Sequence, residues 1–247
     1  MAITRNNQQN TRVVTNGTSA TLASYTPSSG SDSVLVVRAT GLRTTETTFT
    51  LSATFGGVAM TAAVTADSSS SSRWYRTSIF YLIAPGTSAG DIVVTANATI
   101  GGFLIDAVTL LGAAQSAVVG VTDTDAVASG TSDTNYVLTG CTSGSLLVAA
   151  VGTTSANAPG WTWATATEDY ELSGANDSTE PAGSGGYYET GGGDVTLTAS
   201  RTTGGSAQVG CAAEFKAVPP PPGTGQTPMV RTRLVPGMGR AHGHQGW

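Results

Sequence analysis

Apolar residues fall in short runs along this chain, and Gly, Pro, Asn or Ser ends nearly every run. The densest run lies in RWYRTSIFYLIAPGTSAGDIVVTA, Arg73 to Ala96. There Ile79 to Ile83 stops at Pro85-Gly86, and Asp91 opens an alternating run with Ile92, Val94 and Ala96 on one face. Strand, Pro/Gly turn, strand predicts a hairpin. Ser33 to Thr40 (SVLVVRAT) is a near-continuous apolar run, as in a strand buried on both faces. Phe49, Leu51, Ala53 and Phe55 alternate onto one face, and Gly56-Gly57 predicts a tight turn into Val58 to Val64. Thr11 to Val14 and Ala20 to Tyr25 read as short edge strands around Asn16-Gly17. Ser68 to Ser72 reads as a solvated loop tip. No segment sustains a 3.6-residue period, and roughly twelve to fifteen short strands are expected, the signature of an all-β sandwich.

The pattern repeats. Gly144 to Thr153 matches Asp32 to Gly41, Gly193-Asp194-Val195 matches Gly90-Asp91-Ile92, and Ala207 to Ala217 matches Gly102 to Gly112. Tyr187-Tyr188 is matched to Phe80-Tyr81, so Gly186 to Ser200 echoes the densest stretch. Equal strand order with drifting offsets indicates a duplication. The expectation is an all-β, jelly-roll-like sandwich over residues 11–217, with pseudo-repeats 11–112 and 113–217. Both halves could share one sandwich, or each could form its own immunoglobulin-like sandwich. The short apolar junction Gly112 to Thr122 favours the first arrangement. Residues 1–10 read as a polar N-terminal arm.

From Pro219 the character changes. Four prolines and Gly-Thr-Gly make a stiff spacer with a hinge. Beyond it lie apolar anchors (Met229, Val230, Leu234, Val235, Met238, Trp247) and three cations (Arg231, Arg233, Arg240). Residues 218–247 therefore read as an extended, proline-linked arm that orders on a partner.

Charge sharpens this division. Residues 113–217 carry eleven acids against Arg201 and Lys216, whereas the arm carries no acid. An acidic body argues against nucleic-acid binding. No run of about 18 apolar residues offers a membrane span, and the first fifteen residues lack the apolar stretch of a signal peptide. Cys141 and Cys211 sit in apolar strand contexts and read as buried thiols, with a single disulfide as the alternative.

The order SVLVV, FGGVAMT, IFYLIAP–G–DIVVT, FLIDAVTLLGA, then SLLVAAV and CAAEFKAV resembles a sandwich module of virion proteins of tailed bacteriophages, also found in some secreted bacterial proteins. The matching residues are Leu35 to Val37, Phe55 to Thr61, Tyr81 to Thr95 and Ala107 to Gly112, with Phe55 where the pattern more often has Tyr. These are turn and core motifs. The resemblance implies a virion surface protein (decoration, spike or fibre), assembled in the host cytoplasm. Its partners would be other capsid or tail proteins and further copies of itself, as in a trimer.

Candidate chemistry is sparse. The only histidines, His242 and His244, lie in the arm, so the body has no Ser-His-Asp triad and no Cys-His dyad. An extended His-x-His pair repeated around a trimer axis resembles the arrangement by which trimeric phage spikes and fibres bind iron. A solvated tail is the plainer reading, and no cofactor is expected. Glu168, Asp169 and Glu171, with Asp177, Glu180, Glu189 and Asp194, could supply the facing carboxylates of a glycosidase. Their Gly/Ser/Asn/Pro-rich setting reads instead as solvated surface. Asp123 and Asp125 have a spacing that calcium sites use and that chance often produces. Trp161, Trp163 and Tyr170, with Glu168 and Asp169, form either core packing or a glycan platform. The expectation is a non-enzymatic virion structural protein, with a host-surface glycan-binding module as the alternative.

Overall fold

The computed structural model describes residues 2–70, 72–127, 133–154, 160–172, 180–201 and 207–219. These residues form fifteen strands and no helix. Half one holds β1 (Thr4–Tyr25), β2 (Val34–Arg43), β3 (Leu51–Phe55), β4 (Val58–Ala59), β5 (Thr61–Ser70), β6 (Arg73–Ile83) and β7 (Gly90–Leu111). Half two holds β8 (Val119–Val127), β9 (Asp133–Cys141), β10 (Leu146–Thr154), β11 (Trp161–Ala164), β12 (Thr167–Leu172), β13 (Pro181–Glu189), β14 (Gly193–Arg201) and β15 (Gln208–Phe215).

In half one, β1 and β7 pair antiparallel from Thr4↔Leu111 to Tyr25↔Gly90, with register shifts along the way. Near Leu111, β7 also pairs with β2, giving the order β1-β7-β2-β6-β5; near Gly90 it pairs with β3, giving β1-β7-β3-β4. The two long strands thus pass from one sheet layer to the other, the corner device of sandwiches. Half two repeats this with the long strands divided: β8-β15-β10-β13-β12 and β9-β14-β11. Both halves have the strand order of a jelly roll.

The strand registers of the two halves correspond. Val34↔Leu110 in half one becomes Leu146↔Phe215 in half two, and Thr61↔Tyr81 becomes Thr167↔Tyr187. Even the bulge recurs, between Ala62 and Val64 and between Glu168 and Tyr170. Asp91 accepts the Ser24 N–H at 2.9 Å, and Asp194 accepts the Gly140 N–H at 2.9 Å. Ser24 and Gly140 share a left-handed backbone, with φ of 55° and 72°. A polar side chain tolerates that conformation locally and glycine adopts it freely.

Three cores result. Leu35, Val37, Phe80 and Ile105 pack against Phe49, Phe55, Ile92 and Val94 inside half one. Leu147, Ala149 and Ala212 pack against Tyr136, Leu138 and Leu197 inside half two. The third core lies between the halves, where Val34, Val36, Ile79 and Val108 meet Leu146, Val148, Val209 and Phe215. Alternate residues of β2 therefore face different cores, which explains its unbroken apolar run. Where the halves meet, β1 lies near β12 and β5 near β8, with β2 and β6 over β10. Because β12 is the counterpart of β5 and β8 of β1, a pseudo-twofold axis relates the two halves. The ends of β7 and β15 pair through an Ala113↔Ala217 bridge.

Four expectations change. The halves share no strand, so one interleaved sandwich gives way to two sandwiches stacked through their larger sheets. The stretch Arg73 to Ala96 is not a hairpin: β6 pairs with β2 and β5, whereas β7 pairs with β1, β2 and β3. Residues 84–89 instead arch from one layer to the other, and their Pro/Gly signal is the one a hairpin would give. The echo at Gly186 to Ser200 is the same arch, and Tyr187 corresponds to Tyr81, one residue off the sequence match. Residues 4–10 belong to β1, with Ile3 buried behind them; their polar side chains had concealed a strand. Ser68 to Ser70 continue β5 and pair with Tyr75, Trp74 and Arg73.

Candidate functional site

Four charged residues of the body, Arg5, Arg38, Asp106 and Asp169, converge between the two sandwiches. Arg38 stands on β2 at a position facing half two, in line with Val34 and Val36. Asp106 is its direct partner on β7. The Arg38 guanidinium donates through Nε at 2.8 Å and Nη2 at 2.6 Å to Asp106 Oδ2, and through Nη2 at 2.7 Å to Asp169 Oδ2 on β12. Its Nη1 reaches the carbonyls of Ala149 and Gly186, both at 3.4 Å. Arg5 of β1 pairs with the other Asp169 oxygen and lies 3.6 Å from the Tyr187 ring centre. Gln8 donates to Asp106 Oδ1 at 2.9 Å and to the Asp169 carbonyl at 3.2 Å. The Arg38 and Asp106 side chains are fully buried, and that of Asp169 is 3% exposed. Burial and the neighbouring Arg38 both lower the Arg5 pKa.

Two positive and two negative side chains thus close on one another, three of them buried and Arg5 16% exposed at the rim. Glycine makes the space: a Cβ at Gly185 would strike the Tyr170 ring and the Arg38 guanidinium. Tyr170 covers the cluster, its ring centre 4.8 Å from Arg38. Burial pushes the Tyr170 hydroxyl pKa up, opposed by the nearby Arg38 charge. Within the cluster neither Arg5 nor Arg38 is left for a substrate carboxylate or phosphate, because each guanidinium is held by acids of the same cluster.

The other sequence candidates are placed as follows. Trp161 is buried against Val151 and Ala199, at the position that Phe49 fills in half one. Trp163 stacks on Tyr136 with ring centres 6.3 Å apart and donates from Nε1 to Ser184 Oγ at 2.8 Å. Trp161 and Tyr170 are buried, and Trp163 is partly buried against Tyr136. Glu168 and Glu171 are exposed on β12. Shielding by the fold, then the Glu171 charge, raises the Glu168 pKa. Glu180 pairs with Arg12 at 2.6 Å. Asp123 and Asp125 do not converge on a cation position. They accept the backbone N–H groups of Val137 at 2.6 Å and Asn135 at 2.7 Å, covering the free edge of β9. Among the described residues no group of three His, Cys, Asp or Glu could hold a metal ion. Cys141 and Cys211 are buried free thiols, and burial raises both pKa values. His242, His244, Asp177 and the arm residues Met229, Val230, Arg231, Arg233, Leu234, Val235, Met238, Arg240 and Trp247 lie outside the described residues.

No known family, characterised protein or solved structure matches this chain. Function is therefore read from geometry alone. One further feature bears on it. At the pole where β7 and β15 end, a cleft of about 820 Å³ opens among Ala2, Asp32, Ala117, Gly144, Lys216 and Val218. The start of the chain, the junction between the halves and the exit at Pro219 meet there.

Sequence reasoning overlooked Glu214, which ties this pole together. Its carboxylate is buried and accepts the N–H groups of Thr142 at 2.7 Å and Val121 at 3.1 Å. Burial pushes its pKa up, but the donated hydrogen bonds outweigh that, and the net shift is downward. A depressed carboxylate pKa contributes stability at pH above the unfolded value, and that stability is lost as pH falls through the folded value. Glu214→Gln should therefore cost about 1–3 kcal/mol at neutral pH and flatten the acid limb of a stability-versus-pH curve. A variant with an unaltered acid limb would show that Glu214 is not a contributor to acid unfolding.

Proposed function

We propose that this chain is a non-enzymatic structural protein of a tailed-phage virion, a decoration or spike on the capsid surface held through the segment that begins at Pro219. The observation that carries the reading is the use made of the body's charge. Arg5, Arg38, Asp106 and Asp169 hold one sandwich to the other, while Asp91, Asp123, Asp125, Asp194 and Glu214 hold backbone N–H groups. Side chains that an enzyme would turn toward a substrate are here turned toward the fold. The exit at one pole agrees with this reading, because it leaves the rest of the body free to project. The opposite charges of body and arm would also let the arm sit on a surface that the body itself avoids.

The chain shortened after Val218 is the test. It should fold with an unchanged β spectrum and urea midpoint yet fail to associate with particles, lowering bound copies by at least about tenfold. Quantitative mass spectrometry of purified particles reads the outcome. Retention at the full-length level would overturn the arm, and absence of the full-length protein from particles would overturn the virion reading.

A further inference from the structure

The face between the two sandwiches is pseudo-symmetric, but its charge is not. Strand registers identify the counterpart of each cluster residue. Arg38, which pairs with Asp106 and Ile79, corresponds to Ala150, which pairs with Cys211 and Gly185. Asp106 thus corresponds to Cys211. Asp169, in the β12 bulge, corresponds to Ala63 in the β5 bulge. Arg5, opposite Leu110, corresponds to Val119, opposite Phe215. One end of the face is ionic, and the other end, related by the pseudo-twofold axis, is Ala150, Cys211, Ala63 and Val119.

We propose that this one-sided cluster selects the pairing partner: the face of half one accepts half two and rejects a second half one. Half one contributes Arg5, Arg38 and Asp106, leaving one positive charge over, and half two contributes the single negative charge of Asp169. Only the mixed pair closes to neutrality. Two copies of half one face to face would bury two unmatched cations, each opposite Ala63. Two copies of half two would bury two unmatched Asp169 carboxylates, each opposite Ala150. A buried charge without a partner is costly enough to exclude both. Without the cluster the buried face would carry no charge at either end, leaving the partly exposed Arg12–Glu180 pair as the remaining ionic contact described between the halves. The cluster penalises pairing between copies by leaving charges unmatched.

The test uses the full chain. Light and isotope-heavy chains are unfolded together in urea, refolded and crosslinked. Crosslinks joining the same half of two different copies are then counted by mass. They should be at trace level for the natural sequence. In Arg5→Val/Arg38→Ala/Asp106→Ala/Asp169→Ala, which makes the ionic end as apolar as the other, they should rise by at least about tenfold. Asp169→Asn removes the same complementarity with almost no change of shape, and should raise them several-fold even if the fourfold variant does not refold. An Asp169→Asn chain whose same-half crosslinks stay at the natural level would overturn the proposal.

Discussion

Replacing Arg38 with alanine should lower the unfolding free energy of the body by roughly 3–5 kcal/mol, the usual cost of removing one partner from a buried ion pair. The reason is what remains. Asp106 and Asp169 would stay under Tyr170 with Gln8 and Arg5 as their only donors, and Arg5 cannot replace the fork that spans both acids. Removing Asp106 as well takes away one stranded charge, so Arg38→Ala/Asp106→Ala should be less damaging than the two single losses added together. Urea unfolding of the four chains of the cycle measures this. A loss below about 1 kcal/mol for Arg38→Ala, the range of exposed ion pairs, would mean that water reaches the acids and that the cluster is not closed.

Trp161→Ala should cost roughly 3–5 kcal/mol, the range for emptying a buried indole site. Its side chain is 4% exposed and fills the position of Phe49, which is 1% exposed. Each closes one end of a sandwich where a short strand meets the strand that follows the arch. This outcome separates core packing from sugar recognition. An aromatic that stacks on sugars stands in solvent, and its loss leaves folding almost untouched. Thermal or urea unfolding decides the matter, and a change under about 0.5 kcal/mol would return Trp161 to the surface.

The strands and their repetition were legible because they rest on local chemistry. Period-two runs, Gly56-Gly57 and the Gly-Asp-apolar starts of β7 and β14 each leave a mark within a few residues. Pairing was not legible. A turn of Pro and Gly between two apolar runs has one appearance whether the chain folds back within a sheet or arches across to the next. The polar stretch Thr4 to Asn10 concealed a strand because its partner, β7, lies a hundred residues away. The ionic cluster joins residues 5, 38, 106 and 169, and no window of sequence contains two of them. It did leave one signal: Arg38 interrupts SVLVVRAT and Asp106 interrupts GFLIDAVTLLG. A charge inside a run destined for burial requires a counter-charge, and two such runs of opposite sign point to each other.

The place of β15 in its sheet has a mechanical consequence. It is the last strand before Pro219, and it lies between β10 and β8, hydrogen-bonded antiparallel on both sides. A pull on the chain from its end loads β15 along its own axis. Both ladders then resist in shear, all their bonds strained together, rather than opening one at a time from a free edge as a zip would. A body tethered in this way would hold fast against drag on its far side, with the load carried first by a strand flanked on both sides.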